Sequence, residues 1–220
     1  MTRLLAIAVA VIAIGGGAYW YLTQSTPAVA EESAAVVQAS DEIDTSIVQE
    51  MSIGNPDADV TVIEYASYTC PHCRNFHAGP FKDLKSDYID TGKINFIYRE
   101  VYFDLPGVWA GIVARCAGPD RFFGVVEELY NQQTQWSRQE SAAAIASELR
   151  RIGRTAGIEP DALEACLADA DKAKAMTAVD EANRAEHGVN STPSFVINGT
   201  TYRNMAYDEF KSLIDAELEG

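Results

Sequence analysis

The stretch from Val60 to Cys73, VTVIEYASYTCPHC, constrains this chain more than any other. Val60 to Tyr65 is a short, apolar, β-branched run of the kind that forms a strand covered on both faces. Two cysteines follow, three positions apart, with Pro71 where a helix begins and a missing N–H costs nothing. A strand that feeds such a helix puts both thiols on one side of its first turn, close enough to join. The free N–H groups and positive dipole end of a helix start favour an anion on the first of them. Cys70 is therefore expected to form a thiolate readily, with a protonatable His72 as a second stabiliser. A disulfide whose reduced form is stabilised in this way is a strong oxidant, so Cys70–Cys73 is expected to donate its bond rather than reduce another. The pair is then its own redox group, and no further cofactor is implied.

Other uses of the tetrad fit less well. Haem attachment needs a histidine directly after the second cysteine, and Arg74 stands there. Zinc could take Cys70, Cys73 and His77, which would make the protein a metal-binding chaperone, but a fourth ligand is not evident, so no metal site is expected. A helix-face histidine one turn past the motif, as His77 would be, is more often surface or packing than chemistry. A purely structural disulfide that closes two residues would be strained and labile.

The segment after the motif carries Phe76, Phe81, Leu84 and Tyr88 at helical spacing, interrupted at Gly79-Pro80. Ile94 to Tyr98 reads as a second strand, which makes a βαβ unit and hence a parallel pair. The pattern then turns helical and alanine-rich over Val108–Ala117, Arg121–Gln132, Ser141–Thr155 and Asp161 to about Glu186. Strand signals return with Ser194–Ile197 and Thr200–Tyr202, joined by the Asn198-Gly199 pair of a type I′ hairpin. A final amphipathic helix spans Asp208–Leu218. This order predicts an α/β fold split by helices: a first part over 51–105, an inserted all-helical domain over 106–187 and a second part over 188–220. Glu64 lies on the strand face of Val60 and Val62, which buries it, and a buried carboxylate is costly to leave alone.

The N-terminus supplies the expected compartment. Leu4–Leu22 carries no charge, Arg3 precedes it, and the next basic residue is Arg74, so the body of the chain is expected outside the cytoplasm. Residues 1–30 are read as a signal peptide or a signal anchor that tethers the chain to a membrane, and 31–50 as a flexible tether. In an oxidising compartment, Cys116 and Cys166 are expected to bridge as a structural disulfide, with two buried thiols or a second relay pair as alternatives. Closing a loop of that length could contribute at most about 4 kcal/mol. A formal charge of −15 disfavours nucleic acid as a partner.

The strand–Cys-Pro-His-Cys–helix unit, followed after the helical block by Val189-Asn190-Ser191-Thr192-Pro193-Ser194-Phe195, resembles the DsbA family of periplasmic thiol:disulfide oxidoreductases over about residues 48–220. The resemblance implies a thioredoxin-like domain with an inserted helical domain. It also implies that Pro193 is cis, packs against the cysteines and, with Thr192, offers backbone groups to an extended substrate. Glu64 becomes an acid that passes protons to and from Cys73. The implied partners are newly exported, cysteine-containing polypeptides and a quinone-coupled membrane oxidase resembling DsbB, in the periplasm. A reductase or isomerase could use the same cysteines, but the tether is too short and polar to be the dimerisation domain of related isomerases, so a monomer is expected.

Overall fold

The computed structural model describes residues 43–220. The expected signal or anchor segment, with its apolar run Leu4–Leu22, and residues 31–42 of the expected tether lie outside the described residues. Among those described, no helix is long and apolar enough to cross a membrane.

Five strands make one mixed sheet: β1 (Met51–Gly54), β2 (Val60–Ala66), β3 (Ile94–Glu100), β4 (Ser194–Ile197) and β5 (Thr200–Arg203), in the order β1-β3-β2-β4-β5. β2 and β3 run parallel, as a βαβ unit requires, and the other three pairings are antiparallel. Between β2 and β3 come α1 (Pro71–Ala78), α2 (Pro80–Leu84) and a π-type turn at Lys85–Ile89, with the break falling at Gly79-Pro80. Six helices separate β3 from β4: α3 (Leu105–Cys116), α4 (Pro119–Asn131), α5 (Gln133–Ser137), α6 (Ala142–Thr155), α7 (Pro160–Ala168) and α8 (Ala170–His187). The chain closes with α9 (Tyr207–Glu219). Asn198 and Gly199 both take positive φ, 44° and 86°, as a type I′ hairpin demands.

β2 is covered on both faces. Val60, Val62 and Ala66 face one core with Phe76 of α1, Phe195 of β4 and Phe210 of α9. That core continues without a break into the helical block through Phe122, Leu149, Ile152 and Leu163, so the helices share the sheet's interior. Ile63 and Tyr65 point the other way into a smaller cluster with Val101, Val189 and Val196.

Two expectations are corrected, and one strand is added to those expected. The expected tether does not extend to residue 50: Thr45–Ile47 form a 3-10 turn against α8, Arg99 donates two hydrogen bonds to Glu50, and Arg115 donates one to the Gln49 carbonyl at 2.6 Å. The run from Asp161 to Glu186 is two helices, because Asp169 leaves helical backbone and its carboxylate accepts from the Lys172 N–H at 2.9 Å to cap α8. β1, which the pattern did not reveal, pairs along β3 from Met51↔Tyr98 to Gly54↔Asn95. It ends at Gly54, whose φ of 100° suits glycine and where a Cβ would collide with the Ile94 carbonyl.

Candidate active site

Cys70 is the N-cap of α1, with extended backbone (φ −79°, ψ 121°), and Pro71 opens the helix behind it. The loop that delivers Cys70 from β2 is pinned from the helical block. Gln133, buried at the start of α5, donates from Nε2 to the carbonyls of Tyr68 (2.8 Å) and Cys70 (2.9 Å). The Thr69 hydroxyl donates to Asp104 at 2.9 Å, and the same carboxylate caps α3 through the Gly107 N–H at 2.7 Å. Both thiols are free; Cys70 is half-buried and Cys73, one turn on, is fully buried.

The loop before β4 completes the site. The Thr192-Pro193 peptide is cis, and the Cys70 sulfur lies 3.5 Å from the Thr192 carbonyl oxygen. The structure thus brings Cys70, Cys73, Thr192 and Pro193 together from two separate segments.

The two thiols are pushed in opposite directions. Cys70 is lowered to about 5, first because the Cys73 S–H donates to it and then through the Thr192 hydroxyl and the main-chain N–H groups of Cys73 and His72, against the cost of partial burial. His72 contributes its backbone N–H, and its side chain is exposed. Burial pushes the Cys73 thiol up, and the hydrogen bond to Cys70 and the negative charge of Glu64 push it further.

Glu64 is completely buried, as strand parity required. It is not alone. His77 places Nε2 at 3.0 and 3.2 Å from its two carboxylate oxygens, and the imidazole is itself only 7% exposed. The sequence reading of His77 as surface or packing missed this contact, which joins residues 13 positions apart. The imidazole lies between Phe81, at 4.6 Å between ring centroids, and Tyr130, at 4.3 Å and nearly parallel. The Tyr130 hydroxyl in turn donates to the Ser67 carbonyl and pairs with Tyr98 at 2.7 Å. Gln133 was missed as well. Neither residue carries a local signal, since both act across a tertiary interface. His77 is turned to Glu64, and no group of three or more His, Cys, Asp or Glu side chains is placed to hold a metal among the described residues.

Cys116, the last residue of α3, is joined to Cys166 in α7, with Cα atoms 6.1 Å apart. The bridge staples two helices of the block and stands apart from the chemistry of Cys70.

The chain matches the thioredoxin family model over residues 46–216. A putative protein-disulfide oxidoreductase of Rickettsia bellii is 31% identical over 201 residues, covering 88% of this chain and 75% of that one. Four further Rickettsia relatives are longer, and the chain spans 60 to 62% of their length. Disulfide bond formation protein D of Bacillus subtilis is 28% identical over 180 residues, 80% of each chain. Among solved structures, oxidised BdbD of Bacillus subtilis superposes with a TM-score of 0.69 at 26% identity, over 78% of this chain and 94% of that one. Wolbachia pipientis alpha-DsbA1, at 24% identity, shares the fold with a TM-score of 0.72 over 80% and 96%. A thioredoxin fold, two thiols at a helix start and relatives of this identity lead to one assignment: the chain belongs to the DsbA-like family of protein-disulfide oxidoreductases.

Proposed function

We propose that the protein works as a dithiol oxidase, donating the Cys70–Cys73 disulfide to cysteine-containing polypeptides newly exported to the periplasm. A substrate thiolate attacks the Cys70 sulfur, forming a mixed disulfide and releasing Cys73. A second substrate thiolate then attacks the substrate sulfur, forms the product disulfide and expels Cys70 as a thiolate. Two electrons pass from substrate to enzyme, and the disulfide itself is the only redox group required. The observation that carries this reading is the Cys70 thiol, lowered to about 5 in a half-exposed position beside Thr192. Such a thiolate is a good leaving group and lowers the free energy of the reduced enzyme.

The cis Thr192-Pro193 peptide beside Cys70 supports the reading that an extended substrate pairs with the backbone there. The uncharged run Leu4–Leu22 supports export, with the chain either released or held at the membrane, and a quinone-coupled, DsbB-like membrane oxidase would restore the disulfide. The enzyme is expected to act as a monomer. Equilibration with glutathione tests the direction of transfer: the expected reduction potential is well above the about −270 mV of thioredoxin. A value at or below that level makes the protein a reductase.

A further inference from the structure

In the oxidising half-reaction the Cys70–Cys73 bond breaks and its electron pair goes to the Cys73 sulfur. That sulfur is fully buried, so it must gain a proton as it leaves. The acid whose charge bears on it is Glu64, also fully buried. A substrate bound at Cys70 and Thr192 covers the outer face of the site at that moment, and a buried carboxylate without another route to water could not be recharged.

The other route lies behind the sheet-facing side of α1. A cavity of about 150 Å³ opens between α2 and α4, lined by Phe81, Lys82, Phe123, Gly124 and Glu127, with His77 also in its wall. It has room for several waters. None of Cys70, Thr192 or Pro193 lines it. His77 Nε2 faces Glu64, while Nδ1 makes no hydrogen bond among the described residues. We propose that His77 is a positioning residue that acts through Glu64, carrying protons between that carboxylate and water in the α2–α4 cavity while substrate occupies the cysteine face.

The bookkeeping closes. As a substrate thiolate bonds to Cys70, Cys73 takes a proton from the Glu64–His77 pair, and water in the cavity replaces it. On reoxidation the same proton leaves by the same path. The other groups around His77 do not compete for this role. Burial holds the Tyr98 and Tyr130 phenols protonated, Phe76 and Phe81 are apolar, and Lys82, Lys85 and Glu127 stand at the cavity wall rather than on Glu64.

The test is single-turnover oxidation of a dithiol peptide by the full-length oxidised protein, followed from pH 5.5 to 8.5. His77→Gln keeps a donor for Glu64 but cannot relay a proton. It is expected to slow the reaction about tenfold near pH 7, with the deficit widening as pH rises, since protons must then come from the bulk. Gly124→Leu fills the cavity mouth from a helical position where a Cβ meets no atom within 4 Å. It should give the same pH-dependent deficit, about threefold. Native rates and a native pH profile in Gly124→Leu overturn the proposal even if His77→Gln fails to fold, and so does a His77→Gln deficit that is equal at every pH. The direction of the proton rests on the oxidase reading. A low reduction potential defeats that reading, whereas native kinetics in the variants defeat this one.

Discussion

The molecule holds two cysteine pairs of opposite character, and their surroundings explain why. Cys70 and Cys73 sit in the first turn of one helix, where a helix start, the Thr192 loop and one buried partner set their thiols far apart in acidity. Cys116 and Cys166 come from two helices of the inserted block, 50 residues apart, and are bridged. The first pair has its electrostatics arranged around one sulfur, which makes the bond exchangeable. The second closes a long loop between the last turns of two helices, with neither sulfur at the start of its own helix, which makes it a staple. Proximity alone does not decide reactivity; the groups that would stabilise a leaving thiolate do.

The sharpest way to break this contrast is to remove one sulfur at a time. Cys70→Ser should abolish oxidation of a dithiol peptide, by at least about a thousandfold, because Cys73 is fully buried and is left without a partner for a disulfide. Cys73→Ala cannot form the disulfide and should not oxidise the peptide either; given glutathione disulfide, its Cys70 thiolate should take up one glutathione as a mixed disulfide, releasing the other as thiol, and that adduct should persist, visible by mass spectrometry. Appreciable turnover in Cys70→Ser would mean that Cys116 or Cys166 can act as a redox pair.

The converse change acts on stability. Cys116→Ala with Cys166→Ala should lower unfolding free energy by about 2–4 kcal/mol in guanidinium titration, within the range for loops of this length. The exchange rate should stay within about twofold of native. A variant as stable as the parent, or one with altered exchange, would contradict the assignment of the second pair as a staple.

Much of this contrast was legible in the sequence, for physical reasons. The helix-start position of Cys70 follows from a β-branched run meeting Cys-Pro, and the burial of Glu64 follows from strand parity. The hairpin was written in Asn198-Gly199. What escaped were contacts that local patterning cannot encode. β1 is four residues long, too short for alternation to register. Asp169 breaks a helix without proline or glycine, through a cap that competes with an otherwise continuous pattern. His77 meets Glu64 only because α1 folds back over β2, and Gln133 reaches the Cys70 carbonyl across 63 residues. At Cys70 the sequence showed the helix start but not the Cys73 S–H, the first of the groups that lower it.

The difference between the pairs should also appear as a pH dependence confined to one of them. In the unfolded reduced chain, Cys70 keeps its proton up to its ordinary value near 9; in the folded protein it loses it near 5. Between those limits the unfolded state binds more protons, so the reduced protein gains stability as pH rises. The gain is complete above about pH 9 and is lost as pH falls through about 5. Cys73, raised rather than lowered, adds no slope below pH 9. The oxidised protein lacks the effect. Melting temperatures of the two forms should therefore diverge in favour of the reduced form from pH 5 to 8, and iodoacetamide labelling of Cys70 should titrate with a midpoint near 5. Parallel melting curves across that range would show that the Cys70 thiolate is not selectively stabilised.

The smallest expected effect ranks the stabilisers within the reactive pair. Thr192→Val keeps the shape of the side chain and removes the hydroxyl that helps lower Cys70, leaving the main-chain carbonyl contact in place. That hydroxyl is secondary to the Cys73 S–H and is backed by two main-chain N–H groups. Cys70 is half-exposed, so water takes over part of the lost interaction. The labelling midpoint should move upward, and peptide oxidation should change by about threefold or less. Cys73→Ala removes the first-ranked donor and should move the same midpoint further in the same direction. If Thr192→Val shifts it more than Cys73→Ala, then the loop before β4, rather than the second cysteine, sets the acidity of the first. The contrast between the two pairs would then rest on the Thr192-Pro193 loop, which only Cys70–Cys73 possesses.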